Sequence, residues 1–199
     1  MITQKEASPC SPALSPHQKV RRAALALFAE KGFHSISLRK LAGELGVQAG
    51  SIYNHIKSKN SLLFELIDEH ESDLLDAIEM AVPRSCGPLE SLLAYTHAHL
   101  QFNAEYQQRH LVSRLEFRNL NDQQQQVINE IRNAYHKMLE RIILHGVKES
   151  IFNPTKIKEK SIIIIAMLNE LPNLKYQEPQ PSFEHVITLT QEMILGSLT

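Results

Sequence analysis

The part of the chain with the clearest capacity for chemistry is residues 37–59, which read SLRKLAGELGVQAGSIYNHIKSK. Within it Gln48, Ser51 and His55 recur at helical spacing, and no bulky aliphatic side chain interrupts the face that they form. Short polar side chains on one exposed helical face can hydrogen-bond base edges, while nearby basic residues attract phosphates. The stretch therefore predicts contacts with a nucleic acid.

Two short helices joined by a tight turn are predicted to position these residues. The first helix is indicated by apolar residues at i, i+3, i+4 and i+7, namely Leu38, Leu41, Ala42 and Leu45. Gly46 can adopt the left-handed conformation that ends this helix, and Val47 is expected to pack into the corner. In the second helix, Ala49, Ile52 and Ile56 are expected to point inward.

Residues 41–63, LAGELGVQAGSIYNHIKSKNSLL, resemble the signature of the TetR/AcrR family of one-component transcriptional regulators. The shared marks are Gly-Val at the turn, a central Tyr followed by x-His, and a Ser-Lys pair opening the next helix. The resemblance is dense over residues 17–66 and implies a helix-turn-helix head that binds double-stranded DNA.

The resemblance and the chemistry of DNA recognition together assign roles to the polar residues of the head. Tyr53, His55 and Lys59 occupy positions that, by resemblance, contact phosphates on either side of the groove. The candidates for base contacts are Gln48, Ala49, Gly50, Ser51 and Asn54. Ser37, Arg39 and Lys40 on the preceding helix are expected to touch the DNA backbone. Taken singly, Tyr53 could instead be a core aromatic residue, and His55 an ordinary surface histidine.

The charge distribution agrees with a basic head on an acidic body. Residues 1–66 contain nine Lys or Arg and four Asp or Glu, whereas residues 67–199 contain twelve and eighteen. The N-terminus lacks the apolar core of a secretory signal, and the apolar run 162–168 is much shorter than the ~20 residues of a membrane span. We therefore expect a soluble, cytoplasmic protein without a membrane partner.

The predicted fold is all-α with about nine helices, because no segment alternates with period 2 for long enough to be a strand. Residues 1–15, rich in Ser and Pro, are predicted to be a flexible tail. Residues 16–60 form the predicted helix-turn-helix domain, and residues 61–199 a helical domain for ligand binding and dimerisation. The helices of this larger domain are placed at 58–81, 88–104, 106–118, 121–150, 155–171 and 182–198.

No catalytic motif or cofactor-binding motif is present in the body, so neither an enzymatic activity nor a cofactor is predicted. His97 and His99 lie two residues apart, on different sides of a helix, whereas metal-binding pairs on helices favour spacings of three or four. No metal site is therefore predicted either.

Residues 113–120, SRLEFRNL, and 145–154, HGVKESIFNP, resemble the ligand domains of TetR-family regulators that sense acyl-CoA thioesters. The predicted pocket residues are His97, Phe102, Arg114, Phe117, Arg118 and Tyr135. Arg114 or Arg118 could meet a phosphate or carboxylate, or could pair with Glu116 or another nearby acid. The aromatic residues could equally be ordinary core residues.

The resemblance also implies that the last two helices form a four-helix dimer interface with a second chain. The predicted interface residues are Ile164, Met167, Leu171, Val186, Ile187, Thr190, Met193 and Ile194. The leading hypothesis is a homodimeric repressor that binds a palindromic operator and responds to a small apolar or acyl-type effector, with an acyl-CoA among the candidates. The alternative is a ligand-binding or partner-binding module with a vestigial head.

Overall fold

The computed structural model describes residues 14–83, 85–153, 155–173 and 181–199. These residues form nine α-helices, and every regular element among them is helical, which confirms the all-α prediction. The helices are α1 (Pro16–Lys31), α2 (Leu38–Glu44), α3 (Ala49–Ile52), α4 (Lys59–Ala81), α5 (Pro88–Glu105), α6 (Gln107–Glu116), α7 (Asp122–Lys148), α8 (Ile157–Glu170) and α9 (Phe183–Leu198). Most of the predicted tail, residues 1–13, lies outside the described residues.

Side-chain caps fix the starts of the head helices. Ser15 precedes Pro16 and forms a capping box with Gln18, so α1 begins where the sequence predicts. The Ser37 hydroxyl accepts the Lys40 amide hydrogen at 3.1 Å and so caps the N-terminus of α2. The main departure lies in the body, where the predicted helix 106–118 is α6 followed by a 3₁₀ turn at Phe117–Asn119.

The head does not have a core of its own. Its buried residues, among them Phe28 and Ile52, belong to one cluster with Leu62, Leu63 and Leu66 of α4, as expected for a small head that leans on this helix. The same cluster takes in residues of α6 and α7 and of the turn between them, namely Val112, Leu120 and Ile128. A second cluster fills the body between α4, α5, α7, α8 and α9.

Helix α4 runs from the head into the body, where it contacts α5, α6 and α7. Its buried stripe includes one charged and one ionisable residue, Glu71 and His70, which are 4% and 1% exposed. Burying such groups costs free energy unless they are hydrogen-bonded or paired with an opposite charge. This part of α4 is therefore a candidate functional site and not only a part of the apolar core. No helix among the described residues has the length and apolar character needed to cross a membrane.

The end of α6 is fastened to the connector between α1 and α2. The Phe33 amide donates to Glu116 Oε1 at 3.1 Å, and Asn119 Nδ2 donates to Glu116 Oε2 at 2.6 Å. His34 Nε2 lies 2.7 Å from Asn119 Oδ1. Because Glu116 is only 7% exposed, these bonds form a largely dry link between body and head.

Candidate nucleic-acid interface and interior cavity

The turn before α3 is built by glycine. Gly46 has a φ of 65°, and its amide donates to the Gly43 carbonyl at 3.1 Å. The Val47 amide donates to the Ala42 carbonyl at 3.0 Å, which completes a Schellman motif and sets the angle between α2 and α3. The prediction that Val47 packs into the corner is wrong, since its side chain is 43% exposed. Its backbone, rather than its side chain, makes the corner.

Helix α3 is a single turn that ends before Tyr53, and Gln48 precedes it without any side-chain capping bond. Ile52 and Ile56 are buried and Ala49 is half-buried, so the predicted inward face is confirmed. Gln48, Gly50 and Asn54 are exposed, and Tyr53 is 62% exposed, so Tyr53 is not a core aromatic residue. This short element therefore presents polar groups outward from a firmly buried base.

The two remaining polar residues of this face are only half-exposed. Ser51 and His55 line a shallow surface pocket together with Pro16 and Lys19 at the start of α1. The position of Lys19 beside the α3 face does not follow from spacing within one helix. Arg39 and Lys40 are exposed on α2, next to the same face.

Lys59 is positioned differently from the other basic residues of the head. Its Nζ donates to the Phe33 and Ile36 carbonyls, each at 2.9 Å, and lies 3.9 Å from the centre of the Phe33 ring. Burial lowers the pKa of Lys59, against the opposing effect of the Glu116 carboxylate. Two of its three N–H donors thus hold the α1–α2 connector, and one is left for a phosphate contact.

The body contains a cavity of about 230 Å³ between α4, α6, α7 and α8. Its surface is about equally polar and apolar, and four apolar side chains contribute to the wall: Leu74, Ile162, Ile165 and Ala166. The polar lining residues are His70, Glu71, His110, Arg114, Arg132, Tyr135, His136 and Asn169. The cavity is therefore suited to a ligand with hydrogen-bonding groups rather than to a purely apolar one.

A buried ion pair closes one side of the cavity. Arg132 donates to Glu71 Oε1 from Nε at 3.1 Å and from a terminal nitrogen at 2.8 Å. Ser113 Oγ donates to the same oxygen at 2.5 Å, and the Tyr135 hydroxyl donates to Glu71 Oε2 at 3.2 Å. Burial would raise the pKa of Glu71, but the charge and hydrogen bonds of Arg132 outweigh it and hold that pKa below its usual value.

Two buried histidines, His70 and His110, lie in the other side of the wall, and the buried His99 shares the partner Asn169 with His110. His110 Nε2 donates to the Asn169 carbonyl at 2.7 Å, and His99 Nε2 lies 2.9 Å from Asn169 Oδ1. His70 packs between the rings of Phe102 and His110, at centroid distances of 5.5 and 5.6 Å. Burial lowers the pKa of His70 to about 3 and that of His99 to about 4, so both are neutral near pH 7.

Comparisons with known proteins give the family. The family model described as "Bacterial regulatory proteins, tetR family" matches residues 20–66, and "Tetracyclin repressor-like, C-terminal domain" matches residues 85–173. The chain belongs to the TetR family. It is a helix-turn-helix transcriptional regulator and not an enzyme.

Relatives of this TetR-family chain extend over most of its length. A fatty acid metabolism regulator protein of Bacillus subtilis is 28% identical over 132 residues, which are 66% of this chain and 68% of the relative. A tetR-family regulatory protein from Rhodococcus RHA1 superposes with a TM-score of 0.88 at 24% identity, covering 94% and 98% of the two chains. AibR, solved with isovaleryl coenzyme A and operator DNA, superposes with a TM-score of 0.82 at 15% identity, covering 92% and 99%.

Only two of the predicted pocket residues of this regulator, Arg114 and Tyr135, line the cavity. The prediction for His97 is wrong because this side chain is exposed, whereas the buried histidine of the same helix is His99. Arg114 forms an ion pair with Glu170 of α8, an acid on another helix rather than the neighbouring Glu116. The other three predicted pocket residues lie elsewhere and are Phe102, Phe117 and Arg118.

The displaced pocket residues have structural contacts of their own. Phe102 stacks on His70 and on Tyr106 beside the cavity rather than lining it. Phe117 packs against the head core, with the Arg132 guanidinium 4.3 Å from its ring centre, and Arg118 is exposed. The residues that sequence reasoning missed, including Glu71 and Arg132, are charged residues on long helices. Their only local signal is an acid within an otherwise apolar stripe.

The last two helices present fewer free apolar residues than predicted. Most of the predicted interface residues are buried within their own chain: Ile164, Val186, Ile187, Thr190 and Ile194. The predicted Met193 is 66% exposed, and Ile163 of α8 is 65% exposed. These two side chains line a groove of about 290 Å³ between α8 and α9, together with Met167. Among the residues that the structure describes, no three His, Cys, Asp or Glu side chains are grouped to hold a metal ion.

Proposed function

We propose that this TetR-family regulator is a homodimeric repressor whose DNA affinity is controlled by a small acyl-type effector bound in the interior cavity. The observation that carries the proposal is the joint presence, in one chain, of an exposed polar α3 face and a cavity with a polar lining. Helices α4 and α6 both line this cavity and both reach the head core. Residues 16–60 are the proposed DNA-binding domain, and residues 61–199 the effector-binding and dimerisation domain.

The proposed DNA contacts follow the exposed surface of the head. We assign phosphate contacts to Tyr53, His55 and the remaining donor of Lys59, with Ser37, Arg39 and Lys40 along the backbone of one strand. Base edges are assigned to four positions around α3, namely Gln48, Gly50, Ser51 and Asn54. Ala49, the fifth candidate from the sequence, packs against the head core and is left out of this set. Because Gln48 makes no capping bond, its amide is available for base contact.

Dimerisation through α8 and α9 is supported by the exposed apolar side chains of that surface. Ile163 and Met193 stand more than half exposed beside a largely apolar groove, with Met167 and Leu171 half-buried nearby. A second copy related by a two-fold axis would cover both grooves and would bring two heads to a palindromic operator.

This dimer assignment is tested by placing a charge in the groove. Met193→Glu is expected to convert the dimer into a monomer in sedimentation velocity, since two carboxylates would be buried near the two-fold axis. Met80→Glu is the matched control, because Met80 is 87% exposed at the end of α4. A dimer of unchanged affinity in Met193→Glu would rule out this surface.

An acyl-type effector is supported by the cavity and by the resemblance of residues 113–120 and 145–154. AibR, a neighbour of the same fold, is described in complex with isovaleryl coenzyme A. An effector lowers DNA affinity only if it binds the form unable to bind DNA more tightly than the DNA-binding form. Bound between α4 and α6, it would displace the two helices that support the head.

DNA binding is tested by fluorescence anisotropy with the intergenic DNA upstream of the gene. Tyr53→Ala is expected to weaken binding about tenfold, as the loss of an exposed phosphate contact does, while Tyr106→Ala in the body is the control. Lys40→Ala should reduce the slope of log K against log salt concentration by about 1. A protein with no salt-sensitive, sequence-selective binding, or with binding unaffected by Tyr53→Ala, would contradict the proposal.

A further inference from the structure

The size of the cavity restricts what can enter it. A volume of about 230 Å³ corresponds to about seven or eight water-sized groups, at roughly 30 Å³ for each. Pockets that enclose whole drug-sized ligands run from about 300 to 1,000 Å³. A coenzyme A ester therefore cannot lie inside as a whole, and a long acyl chain would exceed the available space.

The charges of the lining cancel one another. Arg132 is neutralised by Glu71 inside the cavity, and Arg114 is neutralised by Glu170 at its exposed rim. His70 and His110 are buried, and burial lowers the pKa of each, so neither carries a charge near pH 7. A carboxylate inserted here would meet no uncompensated cation among the described lining residues and would lose its hydration.

One polar ring of the lining lacks a partner. His70 is 1% exposed, and its Nδ1 has no hydrogen-bond partner among the described residues. The other ring nitrogens with assigned bonds, those of His110 and His99, are used by Asn169. Buried polar groups are nearly always hydrogen-bonded in folded proteins, so a buried histidine of the cavity wall whose ring makes no such bond points to a ligand group that supplies one.

The remaining part of the cavity wall is apolar. Leu74 of α4 lines the cavity together with Ile165 and the exposed Ile162 and Ala166 of α8. This surface is extensive enough for a few methylene groups, next to the polar side formed by His70 and His110. A ligand that satisfies both sides has a short hydrocarbon segment carrying one neutral oxygen.

We infer that the effector inserts a short, uncharged acyl group bearing a hydroxyl or keto oxygen, which hydrogen-bonds to His70. The inference rests on the proposed function and narrows it to a chemical class. The acyl group has about four to six heavy atoms, and the remainder of the effector leaves the cavity beside Arg114, at the exposed rim. The cavity thus selects against both long acyl chains and acyl chains that end in a carboxylate.

The test is calorimetric titration of the full-length protein with five coenzyme A esters: butyryl, 3-hydroxybutyryl, acetoacetyl, succinyl and palmitoyl. We expect 3-hydroxybutyryl or acetoacetyl to bind about tenfold more tightly than butyryl, as one added hydrogen bond to a buried group provides. Succinyl and palmitoyl should bind more weakly than butyryl. Tightest binding of palmitoyl or succinyl, or equal binding of the oxygenated and plain esters, would overturn the inference.

The role of His70 is tested by His70→Phe, which keeps a ring against Phe102 but removes both ring nitrogens. In this variant the oxygenated ester should bind about as tightly as butyryl-CoA, whose own affinity should be retained. The control is His145→Phe, at an exposed position, which should leave the preference for the oxygenated ester unchanged. A folded His70→Phe protein that keeps the tenfold preference would overturn the assignment. The wild-type ester series tests the ligand class even if this variant does not fold.

A second measurement distinguishes failure of the proposed function from failure of the inference about the acyl group. Anisotropy with labelled upstream DNA reports whether each ester releases the protein from DNA. Release by palmitoyl-CoA alone would support the proposal of an acyl-responsive repressor. The same result would overturn the inference that the acyl group is short and polar. The absence of binding and release by all five esters would overturn the proposed effector class, and this inference with it.

Discussion

Replacing Arg132 with methionine is the most incisive test of the buried ion pair. Arg132 supplies two of the four hydrogen bonds to Glu71, whose side chain is 5% exposed. The variant Arg132→Met keeps most of the side-chain length but leaves the carboxylate with only Ser113 and Tyr135 as donors. The substitution therefore unpairs a buried charge while largely preserving the packing.

The expected loss in the free energy of unfolding at pH 7 is about 3–5 kcal/mol, the range for removing one partner of a buried ion pair. Most of this loss is the cost of a buried carboxylate without its counter-ion, rather than the net contribution of the pair. The double variant Glu71→Gln/Arg132→Met should recover much of the loss, since it removes the uncompensated charge as well. Arg141→Met, at an exposed position of the same helix, is the control.

The pH dependence of stability gives the sharper result, because folding lowers the pKa of Glu71 in the wild type but should raise it in Arg132→Met. In the wild type the pKa of Glu71 is depressed, so its contribution is complete above the unfolded value of about 4.3 and is lost as pH falls through the folded pKa. In Arg132→Met burial is unopposed, and the folded pKa of Glu71 rises above that of the unfolded chain. The destabilisation should therefore shrink as pH falls below this raised pKa, by up to about 1.4 kcal/mol per pH unit.

The assay is urea unfolding of both proteins at pH 5, 6, 7 and 8, at one protein concentration. Arg132 also lowers the pKa values of His110 and His136, so the double variant Glu71→Gln/Arg132→Met at the same pH values supplies the reference that lacks the carboxylate. A difference below about 1 kcal/mol at pH 7, or one that stays constant over this pH range, would refute the argument that Arg132 compensates a buried charge.

Three further predictions concern other parts of the chain. Gly146→Ala would place a Cβ 2.0 Å from the Phe152 ring, so we expect a loss of about 1–3 kcal/mol in urea unfolding that Phe152→Leu partly restores. The pKa values of His70 and His99, about 3 and about 4, lie below the unfolded value of 6.5, so stability should fall as pH drops from 6.5 towards 4. A thermal-unfolding midpoint that does not change over this pH range would contradict the neutrality of the two buried rings. Glu116→Ala leaves a buried connector amide unpaired and should speed hydrogen exchange of that amide by 10-fold or more, at a cost of about 1–3 kcal/mol; unchanged exchange would show that this link contributes no protection.

The head was predictable because its signals are local. Gly46 and the Ser37 cap act within a few residues of their own positions, and the buried base at Ile52 and Ile56 follows from helical spacing. Lys59 shows the limit of such reasoning, because its partners, the Phe33 and Ile36 carbonyls, are more than 20 residues away in the chain. A basic residue at the start of a helix gives no local sign that it holds a distant connector.

The cavity was only partly predictable because its members come from four helices. Aromatic residues such as Phe117 were chosen for their type, yet Phe117 belongs to the head core, while Glu71 and Arg132 meet across 61 residues of sequence. Helical spacing decides which residues share a face but not which neighbour that face meets. The same limit explains Ile194, which is apolar as an interface requires but is covered by its own chain.

Helix α6 has a mechanical consequence that follows from its length and its two ends. His110 borders the cavity and Glu116 holds the connector, and the six helical steps from one to the other span about 9 Å. A tilt of about 10° around the cavity end would move Glu116 by roughly 1.5 Å along this arm. Such a displacement would stretch a hydrogen bond of 3.1 Å well beyond its working range. In the proposed function, a ligand of a few atoms that tilts α6 would therefore break the hydrogen bond between Glu116 and the Phe33 amide.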